Sequence, residues 1–131
     1  AVWRRTGQRF ATHRIDSPVG VDVCRFWAFD NASINTHFHS ASRSDCALVR
    51  GQPWARDEGV PMRAQTLIQL QTLVPPTPAP FCPADTVKVI RLFNKTTINH
   101  RYLTESVLSR TTLTADWQSD GVAFCAAIYE D

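Results

Sequence analysis

Ile90-Arg91-Leu92-Phe93-Asn94, then Asn99-His100-Arg101-Tyr102-Leu103-Thr104, then Trp117 ahead of Asp120-Gly121-Val122-Ala123-Phe124, is a phrase this chain has already used once. The earlier version runs Cys24-Arg25-Phe26-Trp27, Thr36-His37-Phe38-His39-Ser40, then Trp54 ahead of Glu58-Gly59-Val60-Pro61-Met62. Near the start, Trp3-Arg4-Arg5-Thr6-Gly7-Gln8-Arg9-Phe10 repeats the closing part alone. A recurring phrase marks a supersecondary unit that cannot bury its apolar face without neighbours. The pattern predicts a stacked or pseudo-symmetric binding scaffold rather than a pocket enzyme.

Each copy opens on a β-branched and aromatic run, Val21-Asp22-Val23-Cys24-Arg25-Phe26-Trp27 and Val87-Lys88-Val89-Ile90-Arg91-Leu92-Phe93, which reads as a strand. Neither face of the second run is wholly polar, so it is expected to be covered on both sides. Turn-forming residues follow at Asp30-Asn31-Ala32-Ser33 and Asn94-Lys95-Thr96-Thr97. A second strand carries the histidine phrase. Ser42 then caps a helix predicted over Arg43 to Arg50, and Thr104 one predicted from Glu105 to about Leu113. The Trp-acidic-Gly phrase feeds the last strand, with the glycine placed for a bulge.

The expected fold is therefore mostly β (α+β): two complete strand–strand–helix–strand repeats plus a partial third, pseudo-symmetric about a threefold axis and β-trefoil-like at low resolution. It is a single domain, with 1–20 closing a truncated repeat, 21–64 and 84–131 the two complete ones, and 65–83 between them. That connector offers an additional strand at Thr66 to Val74 and the extended, proline-rich Val74-Pro75-Pro76-Thr77-Pro78-Ala79-Pro80. A closing phrase without its opening leads to the expectation of further sequence upstream of Ala1.

Composition narrows the partners. Of fourteen basic residues only Lys88 and Lys95 are lysines, the net charge is +2, and no dense basic run occurs, so nucleic acid is not expected. Gln and Pro break the uncharged stretch that Asp85 ends, so no membrane span is expected. Cys24, Cys46, Cys82 and Cys125 lack Cys-x-x-Cys spacing. They read as two disulfides of an oxidising, secreted compartment. Three connectivities exist, and the repeat favours Cys24–Cys46 and Cys82–Cys125.

Binding candidates follow from the phrase. Trp27, where the other copy has Phe93, is an aromatic platform for a sugar ring, with Asp30, Asn31 and Asn35 beside it to fix hydroxyls. Trp3, Trp54 and Trp117 suit packing between repeats better. Arg25 and Arg91 occupy identical strand positions; each forms a structural bridge to Glu58 or Asp120, or else holds an acidic saccharide. His37 and His39 share a strand face at metal-ligating spacing, but His100 has no second histidine beside it, so no metal and no cofactor is expected. Asn31-Ala32-Ser33 and Asn94-Lys95-Thr96 are sequons in a eukaryotic secretory pathway and turn residues in a bacterium. No nucleophile elbow and no distinctive carboxylate pair occurs, so an enzyme is not expected.

The Arg-aromatic, His-aromatic-x-Ser/Thr and Trp-acidic-Gly phrases, over Trp3 to Phe124, resemble a repeat family of secreted bacterial and fungal proteins, domain of unknown function 5648, whose members carry tandem His-Phe-Tyr-Thr phrases. His39 stands where that phrase has tyrosine, and Arg101 intrudes beside Tyr102. The resemblance implies a secreted accessory module that binds a cell-surface or polysaccharide glycan, attached to a parent enzyme or other large protein; the candidate ligand contacts among the phrase residues are Arg25, Trp27, His37, His39, Arg91, His100 and Tyr102. A structural or self-assembling domain and a small metal-dependent hydrolase are the two alternatives.

Overall fold

The computed structural model describes residues 10–28, 36–70 and 74–128. The chain order is β1 (Phe10–Ala11), β2 (Val21–Ala28), β3 (Thr36–Ser40), α1 (Arg43–Arg50), β4 (Ala55–Asp57), β5 (Met62–Ala64), β6 (Val87–Asn94), β7 (Asn99–Thr104), α2 (Glu105–Ser109) and β8 (Trp117–Ile128). The protein is mostly β, built from two antiparallel four-stranded sheets. One has the order β1-β8-β6-β7; the other has β2 at its centre, paired with β3 on one edge and with β4 and β5 on the other.

Period-two alternation explains how the central strands are covered. Along β2, Cys24 and Phe26 face α1 and pack with Phe38, Cys46 and Val49. Along β6, Ile90 and Leu92 pack with Leu103 beneath Val107 and Leu108 of α2. The opposite faces meet: Val23 and Val89 share a core with Ala41, Ala64, Phe124 and Ala126, which joins the two halves of the chain. At about 25 cal/mol per Å2 of apolar surface, burying a valine or phenylalanine in that seam contributes roughly 2 kcal/mol.

Helix α1 begins where its cap predicts, with the Asp45 N–H donating to Ser42 Oγ. Helix α2 stops at Ser109, short of the expected Leu113, and Thr104 makes no side-chain cap bond. The β-branched pair Thr111 and Thr112 follows, and Thr111 Oγ1 turns back to donate to the Val107 carbonyl. Expected strand 66–74 does not form over its described residues. Gln65 bridges Cys125 of β8 and Ile68 bridges Phe81 as single contacts, and among the described residues neither extends into a ladder. Residues 71–73 lie outside the described chain.

Both disulfides close within their own half. Cys24–Cys46 ties β2 to α1, and Cys82–Cys125 ties the segment ahead of β6 to β8. Such pairs belong to an oxidising environment. Among the described residues no helix is long and apolar enough to cross a membrane.

Candidate functional site

Antiparallel register places the phrase residues opposite one another in the same way in each sheet. Trp27 faces His37 and Arg25 faces His39 across β2 and β3. Phe93 faces His100 and Arg91 faces Tyr102 across β6 and β7. The acidic residue follows at a glycine irregularity in both: Gly59 and Gly121 hold φ of 82° and 85°, which only glycine adopts without cost. Glu58 N–H donates to the Arg25 carbonyl beside the first glycine, and the β6–β8 register shifts beside the second. Those irregularities bring Glu58 to Arg25 and Asp120 to Arg91.

The two clusters differ in what lies on top of them. On Arg91, the first half of the chain is seated. Its Nε pairs with Asp120 Oδ2 at 3.4 Å, and Nη1 donates to the His39 carbonyl at 3.3 Å. Nη2 lies 3.5 Å from Asp45 Oδ2, and the guanidinium sits 4.3 Å from the centre of the Phe38 ring. The Tyr102 hydroxyl accepts from the His39 N–H at 2.5 Å and donates to the same residue's carbonyl at 3.2 Å. His100 N–H donates to Thr36 Oγ1 at 2.9 Å, whose own hydroxyl lies 3.3 Å from His100 Nδ1. Strand β3 is thus held by side chains where its edge would otherwise present unpaired backbone. Burial pushes the Tyr102 hydroxyl well above its usual range, which keeps it a donor.

The Arg25 cluster is open by comparison. Arg25 Nε lies 3.2 Å from Glu58 Oε1, off the line of a hydrogen bond, and His37 Nε2 lies 3.1 Å from the same oxygen. The guanidinium of Arg56 stands over the Trp27 ring at 5.5 Å from its centre. The Arg25 side chain is 38% exposed and that of His37 49%, against 9% for Arg91. His39 bridges the clusters, with its ring edge-on to Tyr102 at 5.3 Å.

The structure therefore brings Arg25, Trp27, His37 and His39 onto one face, and Arg91, His100 and Tyr102 beneath β3. Asp30, Asn31 and Asn35, with Trp3, lie outside the described residues. Trp54 packs in the α1 core and Trp117 in the α2 core. Sequence reasoning did not single out Arg56; it becomes Trp27's neighbour only through the β2–β4 register. Thr36 and Asp45 acquire their roles through tertiary contact alone. Among the described residues no three His, Cys, Asp or Glu side chains converge as a metal site would need.

A mostly apolar cavity of 380 Å3 lies where the halves meet, lined by Thr36, Phe38, Val49, Trp54, Phe93 and His100 among others. Ile98, at φ 57°, is another lining residue, a conformation that costs a β-branched side chain about 1–2 kcal/mol.

Both inter-half histidines are held neutral. His39 is pushed down to about 4 by burial first, then by His37 and Arg25, with Glu58 opposing. His100 is pushed down to about 4 by burial first, then by Arg91, with Asp120 opposing. A histidine whose pKa is lower folded than unfolded binds its proton preferentially in the unfolded chain, so stability is complete above the unfolded value and falls with pH towards the folded one. We expect a loss of about 2 kcal/mol per histidine between about pH 6.5 and 4, discounted for partial exposure. Urea unfolding at intervals across that range measures it. His39→Gln should flatten the slope, and an unchanged profile would contradict this assignment.

No curated protein and no solved structure matches the chain. Both clusters and both disulfides fall within residues 22–130, which match the family model described as a domain of unknown function, DUF5648. The chain belongs to that family.

Proposed function

We propose that this chain is a non-catalytic, secreted recognition module that binds its partner through the face formed by Arg25, Trp27, His37 and Arg56. One observation carries the reading. An arginine, an aromatic residue and a facing histidine occur twice in the same register, and one arginine already grips a strand and an aromatic ring while Arg25 and His37 of the other set are substantially exposed. In this reading the halves are copies of one unit, and the pseudo-symmetric, trefoil-like arrangement expected from the sequence is the architecture that would repeat such contacts.

Two ligand classes suit the face. Contact with another polypeptide unit is favoured by what occupies the Arg91 cluster. A cell-surface or polysaccharide glycan is the second reading, favoured by Trp27 standing opposite His37 on the strand that carries Arg25, with Glu58 against both polar side chains, the residue types that stack a sugar ring and hold its hydroxyls. The metal-dependent hydrolase alternative gains no ligand set from the described residues.

The test is a glycan array and a sedimentation series, run on the oxidised protein and on Trp27→Ala. An interaction that the variant abolishes while its circular dichroism stays unchanged supports the face. Interactions that survive both Trp27→Ala and Arg25→Ala would overturn it.

A further inference from the structure

We infer that the Arg25 face receives an extended polypeptide segment with the chemistry of residues 36–45, presented by a further unit of this same type. The inference rests on the reading that this face is the binding surface, and it names the occupant.

The Arg91 cluster shows what such an occupant supplies. An aromatic ring, Phe38, lies on the guanidinium. A main-chain carbonyl, that of His39, accepts from Nη1. A helix-start carboxylate, Asp45, approaches Nη2, and a hydroxyl, Thr36 Oγ1, meets the facing histidine. None of these four has a counterpart at Arg25 among the described residues, where only Glu58 approaches. Arg25 Nε is buried yet makes no hydrogen bond, whereas Arg91 Nε donates to Asp120.

Charge agrees. Among the described residues Arg25 has one carboxylate partner, Glu58, where Arg91 has both Asp120 and Asp45, so an incoming carboxylate is favoured beside Arg25. The receiving groups are matched as well. Trp27 gives a larger aromatic wall than Phe93, and His37 stands where His100 meets Thr36. His39 stands where Tyr102 holds a backbone amide and carbonyl, and a neutral imidazole likewise offers one donor and one acceptor. A free edge strand has those backbone groups to give, which is the physical basis of strand docking.

The experiment titrates a synthetic peptide of residues 36–50, carrying Cys46→Ser, into the purified oxidised protein by calorimetry. We expect saturable one-to-one binding, weakened about tenfold or more by Arg25→Ala in the protein and by Phe38→Ala in the peptide, the loss of one charge-assisted contact. Thermal unfolding of Arg25→Ala checks its fold, and the half-exposed His37→Ala replaces it should that fold be lost. Absence of binding overturns the inference. So does binding indifferent to Arg25→Ala, which would mean that the peptide had displaced β3 from Arg91. A silent peptide beside a glycan signal lost in Trp27→Ala overturns this occupant and leaves the face standing as the binding surface.

Discussion

Replacing Arg91 with alanine lowers the thermal midpoint by roughly 10 °C, whereas the same change at Arg25 lowers it by a few degrees at most. The two arginines hold the same strand position, so the contrast isolates what covers them. Arg91 is 9% exposed, between Asp120 and Asp45, beneath Phe38 and against the His39 carbonyl. Removing it strands two carboxylates and an acceptor at the junction of the halves. Breaking a buried pair costs about 3–5 kcal/mol, and the partial exposure of Asp45 and Asp120 puts this case near 3. Arg25 is 38% exposed with Glu58 as its ion partner, where about 1 kcal/mol or less is expected. Differential scanning calorimetry of both variants measures the difference; equal midpoints would mean that Arg91 is no clasp.

Breaking the disulfides has a comparable or larger effect. Cys24–Cys46 closes a separation of 22 residues and Cys82–Cys125 one of 43. Loop-closure entropy makes these worth about 3 and about 4 kcal/mol, together on the order of the whole stability of a domain this size. The fully reduced chain should therefore be largely unfolded at 37 °C. The double variant Cys82→Ala/Cys125→Ala should lose more than Cys24→Ala/Cys46→Ala, because its loop is longer. Circular dichroism melts with and without reductant measure both; a reduced protein with an unshifted midpoint would contradict the account.

Much of this architecture is legible in the residues. The runs from Val21 and Val87 are strands because β-branched and aromatic side chains fit a surface covered on both sides, and Ser42 announces α1. The Arg25–Glu58 and Arg91–Asp120 pairs follow from the repeated phrase, since matched positions imply matched partners. The strand expected over 66–74 does not form over its described residues: alternation shows that a segment can pair, yet Gln65 meets Cys125 of β8 and Ile68 meets Phe81 once each, and neither contact extends into a ladder. Helix α2 is shorter than expected because nothing beyond Ser109 outweighs Thr111 and Thr112. The gripping of β3 by Tyr102 and Arg91 was invisible, since its acceptor is the main chain of His39, and backbone groups leave no mark in a sequence. Arg56 was missed because it joins Trp27 only across a strand pair.

The Arg91 cluster is filled from within by β3, and we propose that the Arg25 face takes the matching segment of a further unit. Side-chain nuclear magnetic resonance during titration with the peptide of residues 36–50 tests it most directly. The Trp27 indole and His37 imidazole signals should move and saturate together, while those of His100 and the Tyr102 ring stay in place. Movement at His100 and Tyr102, with Trp27 and His37 unperturbed, would contradict it.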